Sequence, residues 1–442
     1  MDVLIKILPL LVVLVALLPP FRFHVLVAGL LGGVVAALIG GLNTQTGSEI
    51  FFKGLGQIMG IYSVMMFAAT AMVLAKAGSI TGLLEIIRKA FKDKVEWVAA
   101  GMVLVQALAT YAAGNGAANI LVTAPLIFSI VGWVPGLVAA IGIVSGASWA
   151  TSPSSAESAY ISQQMKVTVQ QYADFMRPYT IVFWIIGVAL AWYAVRRYRL
   201  MGKLQPPASE GEAKPAPIMG GSSAAGIGAP SAVVVTVGPW RRALPFLVLL
   251  GLILLGPVIN QAIKFQLFTN LVTPLVVLTV AALSMGLNPN RIGEMFIDGG
   301  LTILRYLFMV GLFLGFINML GEIGTFTAIA SLVKFAPVTL LAVAALVAAF
   351  LVAIPSAAYT VAIDALIIPV LAAAGVPPAA FGFVGIAVAQ GAMISPVQIS
   401  VAACAHSFKR EVLDIVRNNI PYMPVMLVVT LVLVSIVTGR PA

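Results

Sequence analysis

The residues best placed to do chemistry in this chain are hydroxyls, amides and two acids, set within apolar runs or at their breaks. Asp364 stands in Val361-Ala362-Ile363-Asp364-Ala365-Leu366-Ile367. An ionised carboxylate at bilayer depth costs about 2.5–3.5 kcal/mol on insertion scales. A cost of that size points to a proton acceptor or a ligand for a coupling cation, the alternative being a structural partner for a nearby hydroxyl or amide. Serine and proline coincide at Ser152-Pro153-Ser154, Pro355-Ser356 and Ser395-Pro396, and an amide lies between glycines at Gly114-Asn115-Gly116. Proline removes an amide donor and breaks a helix, and the half-helix N-terminus that follows presents free amides suited to an anion. Asn115, Ser152, Ser154, Ser356, Thr360, Ser395 and Gln398 are therefore the candidate anion ligands. Asp364, Asn119 and Glu157 are the candidates for the coupling ion, with Glu157 equally able to cap its half-helix.

Composition defines the solvent that positions these residues. The chain is 61% hydrophobic and 9% charged, and runs such as 8–19, 25–42 and 340–354 call for lipid or a very large core. A multi-pass helical membrane protein follows, with the lipid bilayer as its main partner. The formal charge of +10 falls in four clusters, Arg88/Lys89/Lys92/Lys94, Arg196/Arg197/Arg199/Lys203, Arg241/Arg242 and Lys409/Arg410/Arg417. Such clusters fit cytoplasmic loops rather than a nucleic-acid surface. A single cysteine, Cys404, excludes an intramolecular disulfide framework. Hydrolytic chemistry lacks its parts, with only His24 and His406 available and neither H-E-x-x-H nor G-x-S-x-G present.

The chain also repeats itself. Gly41-Leu42-Asn43, Glu49, Phe51 and Gly54 recur as Gly286-Leu287-Asn288, Glu294, Phe296 and Gly299 at an offset of 245, and Ser152-Pro153 recurs as Ser395-Pro396 at 243. The pattern divides the chain into a first repeat over 1–200, a cytoplasmic linker rich in Pro, Gly, Ala and Ser over 201–240, and a second repeat over 241–442. Spans are expected over 3–20, 24–42, 55–76, 136–165 and 179–196, with a re-entrant hairpin at 97–132 whose arms are each too short to cross. The second set covers 243–259, 267–285, 302–320, 380–407 and 421–438, with a hairpin at 338–373. Five spans per half is odd, so the second copy sits inverted relative to the first, the arrangement of alternating-access carriers. Glu49 and Glu294 fall in loops on this scheme.

The order of span triplet, hairpin, serine- and proline-broken span, surface segment and closing span resembles the ion transporter superfamily of carboxylate carriers. Ser145–Thr180, with its break followed by a surface segment over Met165–Arg177, is similar in arrangement to gluconate permeases. Serines and Gly114-Asn115-Gly116 stand where divalent-anion symporters carry Ser-Asn-Thr triplets. The resemblance implies an elevator-type, dimeric carrier whose hairpins and broken helices move together. On this basis the chain is expected to carry a small carboxylate across a cell inner membrane, coupled to H+ or Na+, with no further cofactor and no enzymatic activity. A sodium/proton or other cation antiporter is the alternative, since Asp364 would serve either exchange.

Overall fold

A computed structural model describes residues 2–17, 21, 23, 25–59, 62–91, 94–114, 116–204, 237–265, 267–269, 271–333, 337–357, 360–396 and 398–438. Asn115, Lys92, residues 358–359 of the second hairpin break and residues 205–236 of the linker lie outside that description, as does the side chain of Ser356. The described residues form helices and no strand, so the fold is all-α.

The first ten helices are α1 (Asp2–Leu17), α2 (Val25–Gly40), α3 (Thr44–Met59), α4 (Tyr62–Lys76), α5 (Ser79–Phe91), α6 (Val95–Ala113), α7 (Gly116–Val131), α8 (Pro135–Thr151), α9 (Ala156–Met165) and α10 (Val169–Leu200). The remainder are α11 (Pro239–Ile263), α12 (Val272–Met285), α13 (Pro289–Glu322), α14 (Thr325–Val333), α15 (Val338–Ser356), α16 (Thr360–Ala373), α17 (Phe381–Ala392), α18 (Ile399–Ser407), α19 (Val412–Asn419) and α20 (Met423–Thr438). Helices α6/α7 and α15/α16 occupy the two stretches expected as hairpins, and each pair packs arm against arm.

Local chemistry explains where the expectations miss. Glu49 and Glu294 lie on helices rather than in loops. The side chain of Asn43 accepts from the Thr46 amide at 2.8 Å and that of Asn288 from the Asn290 amide at 2.9 Å, so the helices start at these caps, before either glutamate. The stretch over Met165–Arg177 is no separate surface segment. A capping box between Thr168 and Gln171 starts α10, which continues through Pro178 for 32 residues because Tyr172, Ala173 and Met176 give its first turns a buried face. In the second half, α19 and α20 meet at a 47° bend across 420–422 instead, beside the two prolines Pro421 and Pro424. Helices α5 and α14 fall between the expected spans and were not anticipated.

Two described helices, Val95–Ala113 and Val169–Leu200, are long and apolar enough to cross a bilayer, and counting each of three bent pairs as one crossing raises the number to as many as five. Ten were expected. Helices such as α2 and α12 are apolar but stop short of the about twenty residues a crossing needs. Conversely α6, expected to be too short, reaches 19 residues because it runs on through Tyr111-Ala112-Ala113 before Gly114 ends it.

The two halves interlock. Helix α16 packs on α9, α7 packs on α18, and α8 lies against α17, so each hairpin's second arm rests on the broken helix of the other half. Two large apolar cores result, and each draws residues from both sides of the linker. Ion pairs join three of the basic clusters, and a ring contact anchors the fourth. Arg242 pairs with Glu85 at 2.6 Å, Arg199 with Glu96 at 2.9 Å, and the Arg410 guanidinium lies 5.0 Å over the Trp133 ring.

Candidate functional site

The first hairpin break is held by the broken helix beside it. Gly114 caps α6 in the left-handed conformation, φ +63°, and its amide donates to the Thr110 carbonyl. A Cβ at this position would collide with the backbone of Ser154 and Ser155, so glycine is required both for the turn and for the close approach. Across that contact the Ser152 hydroxyl donates to the Tyr111 carbonyl at 2.5 Å and the Ser154 hydroxyl to the Ala112 carbonyl at 2.9 Å, while Ser152 Oγ accepts from the Ser154 amide at 2.9 Å. These bonds occupy carbonyls that the end of α6 leaves without intrahelical partners. Both serines are buried, and in this conformation their single hydroxyl protons go to the hairpin backbone rather than toward a ligand.

Helix α9 starts at Ser155, whose side chain accepts from the Ser158 amide at 3.1 Å. Glu157 follows in the first turn, where the positive end of the helix dipole favours an acid. The Thr360 hydroxyl, at the first residue of α16, donates to Glu157 Oε1 at 2.7 Å. Asp364 lies one turn further along α16 on the same face. It is fully buried, and neither carboxyl oxygen has a hydrogen-bond partner. Its environment includes the charge of Glu157 and the phenols of Tyr160 and Tyr172. The Tyr172 hydroxyl is directed away, donating to the Ala150 carbonyl at 3.0 Å.

Glu157, Thr360 and Asp364 thus meet, although about 200 residues separate the glutamate from the other two. Asn119 is buried on α7, the helix that packs on α18. At that junction Gly116 approaches the Ser400 hydroxyl. Gln106 on α6 donates to Thr110 Oγ1 at 3.0 Å and Ser145 Oγ at 2.9 Å, and accepts from the Thr123 hydroxyl at 2.6 Å. At the second break Ser395 is fully buried, and Gln398 caps α18 by accepting from the Ile399 amide at 2.7 Å. The Asn419 side chain donates to the Met393 carbonyl at 2.9 Å.

Gln106, Ser145 and Asn419 were missed from the sequence. Gln106 carries a signal in the sequence, as the lone amide in the otherwise apolar run Val103–Tyr111. Among the described residues no group of three His, Cys, Asp or Glu could hold a metal ion. The arrangement brings carboxyl and hydroxyl oxygens together, a donor set suited to reversible binding of a small cation. Compared with known proteins, the chain matches no family model and no curated sequence.

Proposed function

We propose that this chain is a membrane-embedded secondary carrier that moves a small carboxylate anion by alternating access, coupled to H+ or Na+. The reciprocal packing carries the proposal: α16 on α9 and α7 on α18 relate the halves in the way an inverted duplication would, with both hairpins and both broken helices at one centre. Helix bounds support the duplication, since α13 (Pro289–Glu322) covers the residues 245 positions beyond α3 and α4 (Thr44–Met59, Tyr62–Lys76). Exposed Leu30, Leu38, Ile185, Leu283, Leu301 and Val432 support an apolar surrounding, because a water-soluble protein does not spread large aliphatic side chains over so much of its surface. Linkage of three basic clusters through Glu85 and Glu96 supports a positively charged, cytoplasmic end of a protein spanning a cell inner membrane.

In this carrier Ser395 and Gln398, with the half-helix amides, bind the anion, and the Ser152 and Ser154 hydroxyls join them when the first junction loosens. Glu157 and Asp364 handle the coupling ion. Movement of hairpins and broken helices against the rest, within a homodimer, is the elevator form of the proposal. A cation antiporter is the second reading, favoured by the burial of Asp364 beside Glu157 without a described basic partner.

The test is uptake. Purified protein is screened for thermal stabilisation by a panel of carboxylates, and hits are assayed in reconstituted vesicles under imposed proton or sodium gradients. Stabilisation by a carboxylate, followed by its uphill accumulation, is the expected result. Vesicles that exchange sodium for protons and ignore every carboxylate would favour the antiporter instead.

A further inference from the structure

Helix α16 reaches α9 through one hydrogen bond and one unsatisfied acid. The Thr360 hydroxyl gives its proton to Glu157, which leaves Thr360 Oγ1 with lone pairs but no proton to offer Asp364. Asp364 therefore sits at a buried junction with two unpartnered oxygens, in the field of a second acid. Two carboxylates side by side in a water-free site repel strongly, and a buried charge is retained only when it is paired or coordinated.

Among the described residues, no basic side chain faces Asp364 from the other elements packed on this junction. Helices α8, α14, α15 and α17 carry no ionisable side chain facing it, and Tyr160 on α9 and Tyr172 on α10 contribute only neutral phenols. On α10, Asp174 and Arg177 pair with each other. On α13, Arg291 pairs with Glu294, Asp298 with Lys76, and Glu322 is exposed; the Arg305 side chain lies outside the described residues. What the junction offers instead is a cluster of oxygens, from two carboxyls and a hydroxyl, which suits a proton shared between acids or a dehydrated sodium ion.

We propose that Glu157 and Asp364 form one composite site for a single monovalent cation, a proton or a sodium ion, and that its occupancy holds α16 against α9. Loading removes the repulsion and lets the second hairpin close on the broken helix of the first half; unloading drives them apart. The use of this latch for coupling rests on the carrier proposal, but the site and its effect on the junction do not. The sign follows directly. A junction that binds a proton more tightly when closed is stabilised as pH falls and loses that stability as pH rises.

The experiment measures the apparent melting temperature of the purified full chain. One arm lowers pH in a choline buffer without sodium, and the other adds sodium chloride against choline chloride at alkaline pH. The expected result is a rise of several degrees in one arm, as for a ligand reaching about a hundred times its dissociation constant. The arm that responds identifies the cation. Asp364→Asn, neutral in every buffer, should already melt near the loaded wild-type value and show no response. Glu157→Gln keeps an acceptor for Thr360 but removes the repulsion, and should weaken the response. Wild-type protein insensitive to both cations would overturn the proposal, as would a full response surviving in both variants. Exchange of labelled for unlabelled carboxylate across vesicles, which needs no gradient, is run in parallel. Exchange without a cation response rejects the latch and keeps the carrier, whereas a cation response without exchange of any carboxylate does the reverse.

Discussion

The junctions of α16 with α9 and of α7 with α18 are built alike and filled differently. Thr360 opens α16 and meets Glu157; at related positions Gly116 opens α7 and meets Ser400. Around Gly116 the described polar side chains are neutral, and Gln106 bonds Thr110, Thr123 and Ser145. Around Thr360 there are two acids, and Asp364 has no hydrogen bond. Satisfied buried networks rigidify a contact, while a partly satisfied one leaves it dependent on something else. Within the proposed carrier, the contrast assigns bracing to the first hairpin and ion-dependent movement to the second.

The largest expected effect lies on the acidic side. Asp364→Asn keeps the shape of the side chain but can neither release a proton nor present a full charge to a cation. Reconstituted vesicles bearing the variant should lose uphill accumulation under an imposed gradient while still exchanging substrate at equal concentrations. Accumulation at wild-type levels would remove Asp364 from coupling and erase the difference between the junctions.

On the bracing side, Gly114→Ala should be the most disruptive change. A left-handed backbone costs a non-glycine residue about 1–2 kcal/mol, and here the added Cβ also strikes the Ser154 backbone. Lower yield and a clearly reduced melting temperature are expected, whichever cation is present. Gln106→Leu follows. It takes the donor from the buried Thr110 and Ser145 hydroxyls and leaves Thr123 only the Asn119 carbonyl to bond, and lost hydrogen bonds of this kind cost about 0.5–1.5 kcal/mol each. Melting should fall accordingly, while the proton or sodium dependence of uptake is retained. A loss of coupling in Gln106→Leu would show that the neutral junction moves as well.

Much of this contrast was open to sequence reasoning, and its decisive part was not. Gly, Pro and Ser disturb backbone locally, so the breaks at Gly114, Ser152–Ser155 and Ser395–Gln398 could be located from residue type alone. Asp364 stood out because an acid in an apolar run is costly wherever the run is buried. The meeting of Thr360 with Glu157 is a tertiary contact across the whole linker, and no local pattern encodes it. The fate of a hydroxyl proton is equally invisible. Ser152 reads as a ligand in the sequence because serine can donate, yet the carbonyl that receives the proton, at Tyr111, becomes its neighbour only once the hairpin docks. Helix bounds slipped where caps outweighed hydropathy, as at Asn43, Asn288 and Thr168.

Ser152→Ala carries the smallest expected effect and sharpens the comparison furthest. The substitution removes the donor to Tyr111 and the acceptor for the Ser154 amide, and a neutral hydrogen bond is worth about 0.5–1.5 kcal/mol net. If the first junction stays closed throughout the cycle, the loss appears as a modest drop in melting temperature and carboxylate affinity is unchanged. Should the junction open to admit the anion, the hydroxyl is freed to donate to it, and a bond to a charged group is worth about 1.5–3 kcal/mol, or roughly ten- to a hundredfold in affinity. Titrating a stabilising carboxylate against wild type and Ser152→Ala by thermal shift separates the two. An affinity loss of tenfold or more would make the neutral junction a working part of the anion site, and the division between a bracing hairpin and a moving one would have to be given up.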